Sequence, residues 1–98
     1  MDRDEAISEI RQALKRRSGK DWSVKGGRGT GWGWITIDVP PRRQPRTDDD
    51  LAELGQLLGL GRACYGAESI PASTEYRLEY VDRANGRTPA ISGTQYWD

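Results

Sequence analysis

Apolar residues recur at helical spacing near the start of the chain, with Ala6, Ile7, Ile10, Ala13 and Leu14 on one side and Arg11, Lys15 and Arg16 largely on others. This pattern predicts an amphipathic helix over residues 3–17. Asp2 or Asp4 can cap its start. Lys15, Arg16 and Arg17 complement the negative end of its dipole, and Ser18 with Gly19 supplies a left-handed stop.

The period then changes from helical to two. Residues 21–25 alternate polar and apolar, which predicts a short strand with Trp22 and Val24 on one face. A glycine-rich turn, Gly26-Gly27-Arg28-Gly29-Thr30-Gly31, joins it to a second strand over residues 32–39 in a hairpin with a long loop. Parity in that second strand places Gly33, Ile35, Ile37 and Val39 on one face and Trp32, Trp34, Thr36 and Asp38 on the other. The aliphatic set suits the core, so the two indoles are expected outside.

Proline lacks the donor that a central strand needs. The run Pro40-Pro41-Arg42-Arg43-Gln44-Pro45-Arg46 therefore reads as an extended basic loop leaving the sheet. Thr47 before Asp48, Asp49 and Asp50 has the layout of a helix start, and Leu51, Leu54, Leu57 and Leu58 give residues 48–59 an apolar stripe ending at Gly59 and Gly61. Residues 62–73 read as irregular. Over residues 75–81, Tyr76, Leu78 and Tyr80 alternate with Glu75, Arg77 and Glu79 as in a half-buried strand. A helix capped by Ser73 or Thr74 and stopped at Asn85-Gly86 is the rival reading. The tail, residues 87–98, carrying Tyr96 and Trp97, is expected to pack as a strap over one edge.

Together these elements predict an α+β fold. A small antiparallel sheet, made of the β-hairpin plus one further strand or helix, packs against two amphipathic helices in a single domain spanning residues 1–98. That length supports one core, and with no Phe its aromatic bulk comes from four Trp and four Tyr.

Charge alters the picture more than composition does. Fifteen bases balance fifteen acids over the whole chain, yet residues 1–10 sum to −3, residues 11–46 to +8 and residues 47–98 to −5. Folding either presents a basic face to an anionic partner or neutralises it against the acidic C-terminal half. No apolar run approaches the roughly 20 residues of a membrane span, and the start lacks the plan of a secretory signal. A cytoplasmic protein with no membrane association is expected.

Candidate chemistry is sparse. The chain has no His and one cysteine, Cys64, which excludes an internal disulfide and the common zinc cages. No metal, cofactor or catalytic residue is expected. Asp48, Asp49 and Asp50 point in different directions from a helix start and suit capping better than a cation. Without His to activate it, Cys64 reads as structural. The glycine-rich stretch does not match a phosphate loop. Leu14 and Asp21 stand where that pattern around Gly19-Lys20 needs Gly and a hydroxyl, and a strand, not a helix, follows Gly31.

The most suggestive set is Lys25, Arg28, Trp32, Trp34, Arg42 and Arg43, two rings flanked by cations beside the hairpin tip and the exit loop. Single-stranded nucleic acid binds such platforms by stacking bases on rings and pairing phosphates with Arg or Lys. The competing reading has the tail aromatics cover both indoles in a second small core. A non-catalytic binding module for single-stranded nucleic acid is therefore expected first. A module for another protein comes second, and a small enzyme using carboxylates and arginines third.

The runs Arg16-Arg17-Ser18-Gly19-Lys20, Trp22-Ser23-Val24, Gly27-Arg28-Gly29-Thr30 and Gly33-Trp34-Ile35-Thr36 form the first half of a wider pattern. Ser69-Ile70-Pro71-Ala72-Ser73, Gly86-Arg87-Thr88-Pro89, Gly93-Thr94 and Tyr96-Trp97-Asp98 complete it. The pattern resembles a family of short uncharacterised bacterial proteins, similar also to accessory domains of large polyvalent proteins of mobile elements. The likeness covers most of the chain except residues 40–46. It implies no catalytic residues and, by context alone, favours work near nucleic acid.

Overall fold

A computed structural model of the chain describes residues 2–40 and 47–87. Helix α1, Arg3–Ser18, begins where the Asp2 side chain accepts from the Glu5 backbone N–H at 2.8 Å. It ends at Gly19, whose φ of 75° lets its own N–H reach the Lys15 carbonyl. Its buried face is Ala6, Ile10, Ala13 and Leu14, in line with the periodicity. Arg3 and Arg17 lie on this same stripe at its two ends, four residues before Ile7 and three after Leu14. The stripe begins and ends in a guanidinium.

Strand β1, Ser23–Gly26, pairs antiparallel with β2, Ile35–Asp38, in a register that sets Val24 opposite Ile37 and Lys25 opposite Thr36. Ile35, Ile37 and Val39 are buried, as parity requires, each contributing about 1.5–3 kcal/mol of apolar burial. The second strand begins at Ile35, not at residue 32, because the chain first makes a 3-10 turn at Gly29–Gly31. Trp32 therefore lies outside the pleat.

Helix α2, Asp48–Leu57, opens with a reciprocal capping box. The Thr47 hydroxyl accepts from the Asp50 N–H at 3.1 Å, and the Asp50 carboxylate accepts from the Thr47 N–H at 3.1 Å. This arrangement places Asp50 in the interior while Asp48 and Asp49 stay exposed, so the acidic run serves the helix start.

In the C-terminal half one expectation needs correction and one open choice between strand and helix is decided. Residues 68–70, expected to be irregular, form strand β3, Glu68–Ile70, which pairs antiparallel with the free side of β2 and gives the order β1-β2-β3. The segment at 75–81 is helical and belongs to α3, Thr74–Ala84. Three observations explain the helix. Ser73 caps it by accepting from the Tyr76 N–H, Gly86 takes the left-handed φ of 78° beyond its end, and Arg83 pairs with Glu79 one turn earlier at 2.9 Å. The alternation of tyrosines and charges fits a helix whose core face is Tyr80, Val81 and Ala84.

Three helices therefore pack with a three-stranded antiparallel sheet, an α+β fold in which both a further strand and a further helix join the expected hairpin and two helices. Helix α3 lies along α1, and α1 also contacts β1. Arg17 Nη1 donates to the carbonyls of Leu57 at 2.7 Å and Ala84 at 2.8 Å, while Arg83 Nη1 donates to Leu58 and Gly59. The C-termini of all three helices thus converge, and guanidinium groups satisfy carbonyls at the ends of α2 and α3. Among the described residues, no helix is long and apolar enough to cross a membrane.

Candidate nucleic-acid interface

The loop between β1 and β2 builds the candidate surface. Gly27 donates its N–H to the Trp34 carbonyl at 2.7 Å, which extends the ladder by one pair. The 3-10 turn then closes through Gly31 N–H to Arg28 O and Trp32 N–H to Gly29 O, both 3.1 Å. Two glycines are required for different reasons. Gly29 has a φ of 60°, and a Cβ at Gly27 would stand 1.9 Å from the Gly31 carbonyl oxygen.

This backbone presents two indoles to solvent. Trp32 is 56% and Trp34 44% exposed, against 2% for Trp22, which packs in the core and donates its indole N–H to Ser18 Oγ. Trp34 follows the outward parity of Thr36, as the alternation predicts. Trp32 is exposed for another reason, its place at the end of the 3-10 turn.

The hairpin also carries cations. Lys25 and Arg28 are exposed, and neither forms an ion pair among the described residues. By contrast, Lys15 pairs with Asp21, Lys20 with Glu53 and Arg87 with Asp82. Arg42 and Arg43 lie outside the described residues, as do Tyr96 and Trp97 of the expected strap. Lys25 and Arg28 thus share the hairpin with Trp32 and Trp34.

Arg3 is the contributor that sequence reasoning missed. Its guanidinium lies over Trp32, 4.0 Å from the ring centroid, and its Nη1 donates to the carbonyls of Trp32 at 2.8 Å and Gly27 at 3.1 Å. The available signal was its place on the buried stripe of α1, where an arginine needs a partner. Arg77, fourth in α3, was also passed over. Its Nη2 reaches the Gly33 carbonyl at 3.3 Å, and it shares a stripe with buried Val81 and Ala84.

Two further ionisable groups, Cys64 and Tyr80, are buried. Desolvation, then the charge of Glu68, push the Cys64 thiol up to about 11 despite the opposing Arg62. Burial, then the hydrogen bond to Glu68 at 2.6 Å, likewise raises the Tyr80 phenol above its ordinary value. Among the described residues, no three carboxylates or thiols gather closely enough to hold a metal ion. Comparison with protein-family models, curated proteins and solved structures finds no match for this chain.

Proposed function

We propose that the β1–β2 hairpin is a non-catalytic binding surface for single-stranded nucleic acid. The observation that carries this reading is the joint exposure of Trp32 and Trp34 beside Lys25 and Arg28, two cations without carboxylate partners among the described residues. Bases stack on such rings for about 1–3 kcal/mol each with little regard for sequence, while the phosphates meet the cations. The resemblance to accessory domains of mobile-element proteins agrees with this reading by context.

The test is a titration with DNA and RNA single strands of about 12 nucleotides, following Trp emission at about 50 and about 200 mM salt. Quenching that weakens with salt and is lost in Trp34→Ala and Arg28→Ala supports the surface. Unchanged emission at the lower salt concentration removes it.

A second reading, a protein partner, draws on Tyr65. This side chain is 92% exposed with the Arg62 guanidinium 5.4 Å from its ring centroid, an aromatic–arginine pairing of the kind enriched at protein interfaces. A protein captured by the wild type and lost with Tyr65→Ala, but indifferent to Trp34→Ala, would favour it.

A further inference from the structure

A half-buried guanidinium without a counter-charge is unusual, because removing a cation from water is unfavourable unless hydrogen bonds and an anion replace the lost hydration. Arg77 is in that state. Among the described residues its buried Nε has no hydrogen-bond partner, the one hydrogen bond of its side chain is the 3.3 Å contact from Nη2 to the Gly33 carbonyl, and no carboxylate pairs with it. The other half-buried arginines are better satisfied. Arg83 has Glu79 and two carbonyls, and Arg3 has two carbonyls, Asp4 and the Trp32 ring.

Its position gives the deficit a meaning. Gly33 is the residue between Trp32 and Trp34, and a Cβ there would lie 2.5 Å from the Ala72 Cβ and 3.5 Å from Arg77 Nη2. The absent side chain lets the start of α3 approach the strand closely, which brings the guanidinium against the backbone that carries both exposed rings. Ser73, the cap of α3, lies next to Ala72, so the positive end of the helix dipole is on the same side.

We infer that Arg77 binds one phosphodiester group of a single strand stacked on Trp32 and Trp34, through the Nη atoms that make at most one bond. The inference rests on the nucleic-acid reading of the hairpin and adds a phosphate site contributed by a different element. It fixes where the backbone runs, on the Gly33 side of the rings toward α3. Lys25 and Arg28 contact other phosphates from β1 and the turn.

The experiment measures binding of a single-stranded oligonucleotide as a function of salt for wild type, Arg77→Gln and Arg77→Lys, with thermal unfolding recorded for each. One phosphate contact to a single strand contributes about 0.7 to the slope of log K against log salt. Arg77→Gln is expected to reduce the slope by about that amount and to weaken binding about tenfold at low salt. Arg77→Lys retains the charge and is expected to restore the slope. A second arm replaces single phosphates of the oligonucleotide with neutral methylphosphonates. One position should weaken binding to wild type and have no effect on Arg77→Gln.

Unchanged affinity and slope in a folded Arg77→Gln protein would overturn the phosphate assignment while leaving the stacking surface intact. A slope that Lys fails to restore, or no methylphosphonate position specific to wild type, would overturn it too. No binding by wild type at low salt would remove both readings together.

Discussion

The guanidinium of Arg3 lies over Trp32, 4.0 Å from the ring centroid, while donating hydrogen bonds to the carbonyls of Trp32 and Gly27. The first turn of α1 thereby holds the tip of a hairpin more than twenty residues away in sequence. One side chain closes the loop, occupies one face of the indole and joins helix to sheet. Arg3→Ala should cost about 1–2 kcal/mol in urea unfolding with an unchanged denaturant slope, and Arg3→Lys less, because an ammonium retains the charge but not the planar fork. Equal stability of Arg3→Ala and wild type would show that the hairpin holds its own shape.

Arg17 does the same at the opposite end of α1. Its bonds to Leu57 O and Ala84 O satisfy terminal carbonyls of α2 and α3, where the negative ends of the two dipoles meet. Arg17→Met keeps much of the apolar stem and removes the donors, so about 2 kcal/mol of stability should be lost. Thermal unfolding of this variant beside Arg16→Met isolates the effect. Among the described residues the Arg16 side chain bonds the Asn85 side chain alone, and its replacement should shift the midpoint far less.

These two arginines also show what the sequence conceals. The stripe from Ile7 to Leu14 is readable because apolar side chains at helical spacing have one use. An arginine at the end of that stripe is read as solvated until a distant carbonyl or ring is placed beside it. The same holds for Arg77, whose partners come from the hairpin. In β2 the inward set Ile35, Ile37 and Val39 was legible because parity is local. The onset of the strand was not, since the 3-10 turn depends on the close approach of Gly27 to Gly31. Strand β3 is three residues long and buries only Ile70, too little for a period to register. The segment at 75–81 satisfied both periods, and what decides for helix is the Ser73 cap and the packing of Tyr80, Val81 and Ala84 on the core.

Two buried acids, Cys64 and Tyr80, are expected to weaken the fold as pH rises into the alkaline range. The Cys64 thiol is raised from 9.0 to about 11, chiefly by desolvation and then by Glu68. The Tyr80 phenol is raised above its ordinary value of 10.0 by burial, the Glu68 hydrogen bond and nearby carboxylates. Both stay protonated in the fold after the unfolded chain has ionised, so each contribution is fully present below the unfolded pKa and is lost as pH rises through the folded one. Unfolding free energy in reductant should fall from about pH 9, at up to about 1.4 kcal/mol per pH unit for each group titrating. Cys64→Ala should flatten the first part of the decline and Tyr80→Phe the part above about pH 10. A pH profile identical in both variants and wild type would show that other groups govern the alkaline transition.

Trp32 and Trp34 differ in what they can offer a base. Arg3 already occupies one face of Trp32, while no cation stacks on Trp34 among the described residues, although Trp32 is the more exposed of the two. If accessible area alone set the contribution, Trp32→Ala would weaken single-strand binding more. Stacking requires a free ring face, so Trp34→Ala should carry the larger loss, about 5- to 150-fold for a stack of 1–3 kcal/mol. Emission separates the residues further. Trp22 is shielded in the core and should keep its signal through the titration, so the quench belongs to the other tryptophans and should shrink most when Trp34 is removed. A larger loss from Trp32→Ala, in a protein whose unfolding midpoint is unchanged, would mean that the strand stacks on the ring face opposite Arg3 and that Trp34 only borders the site.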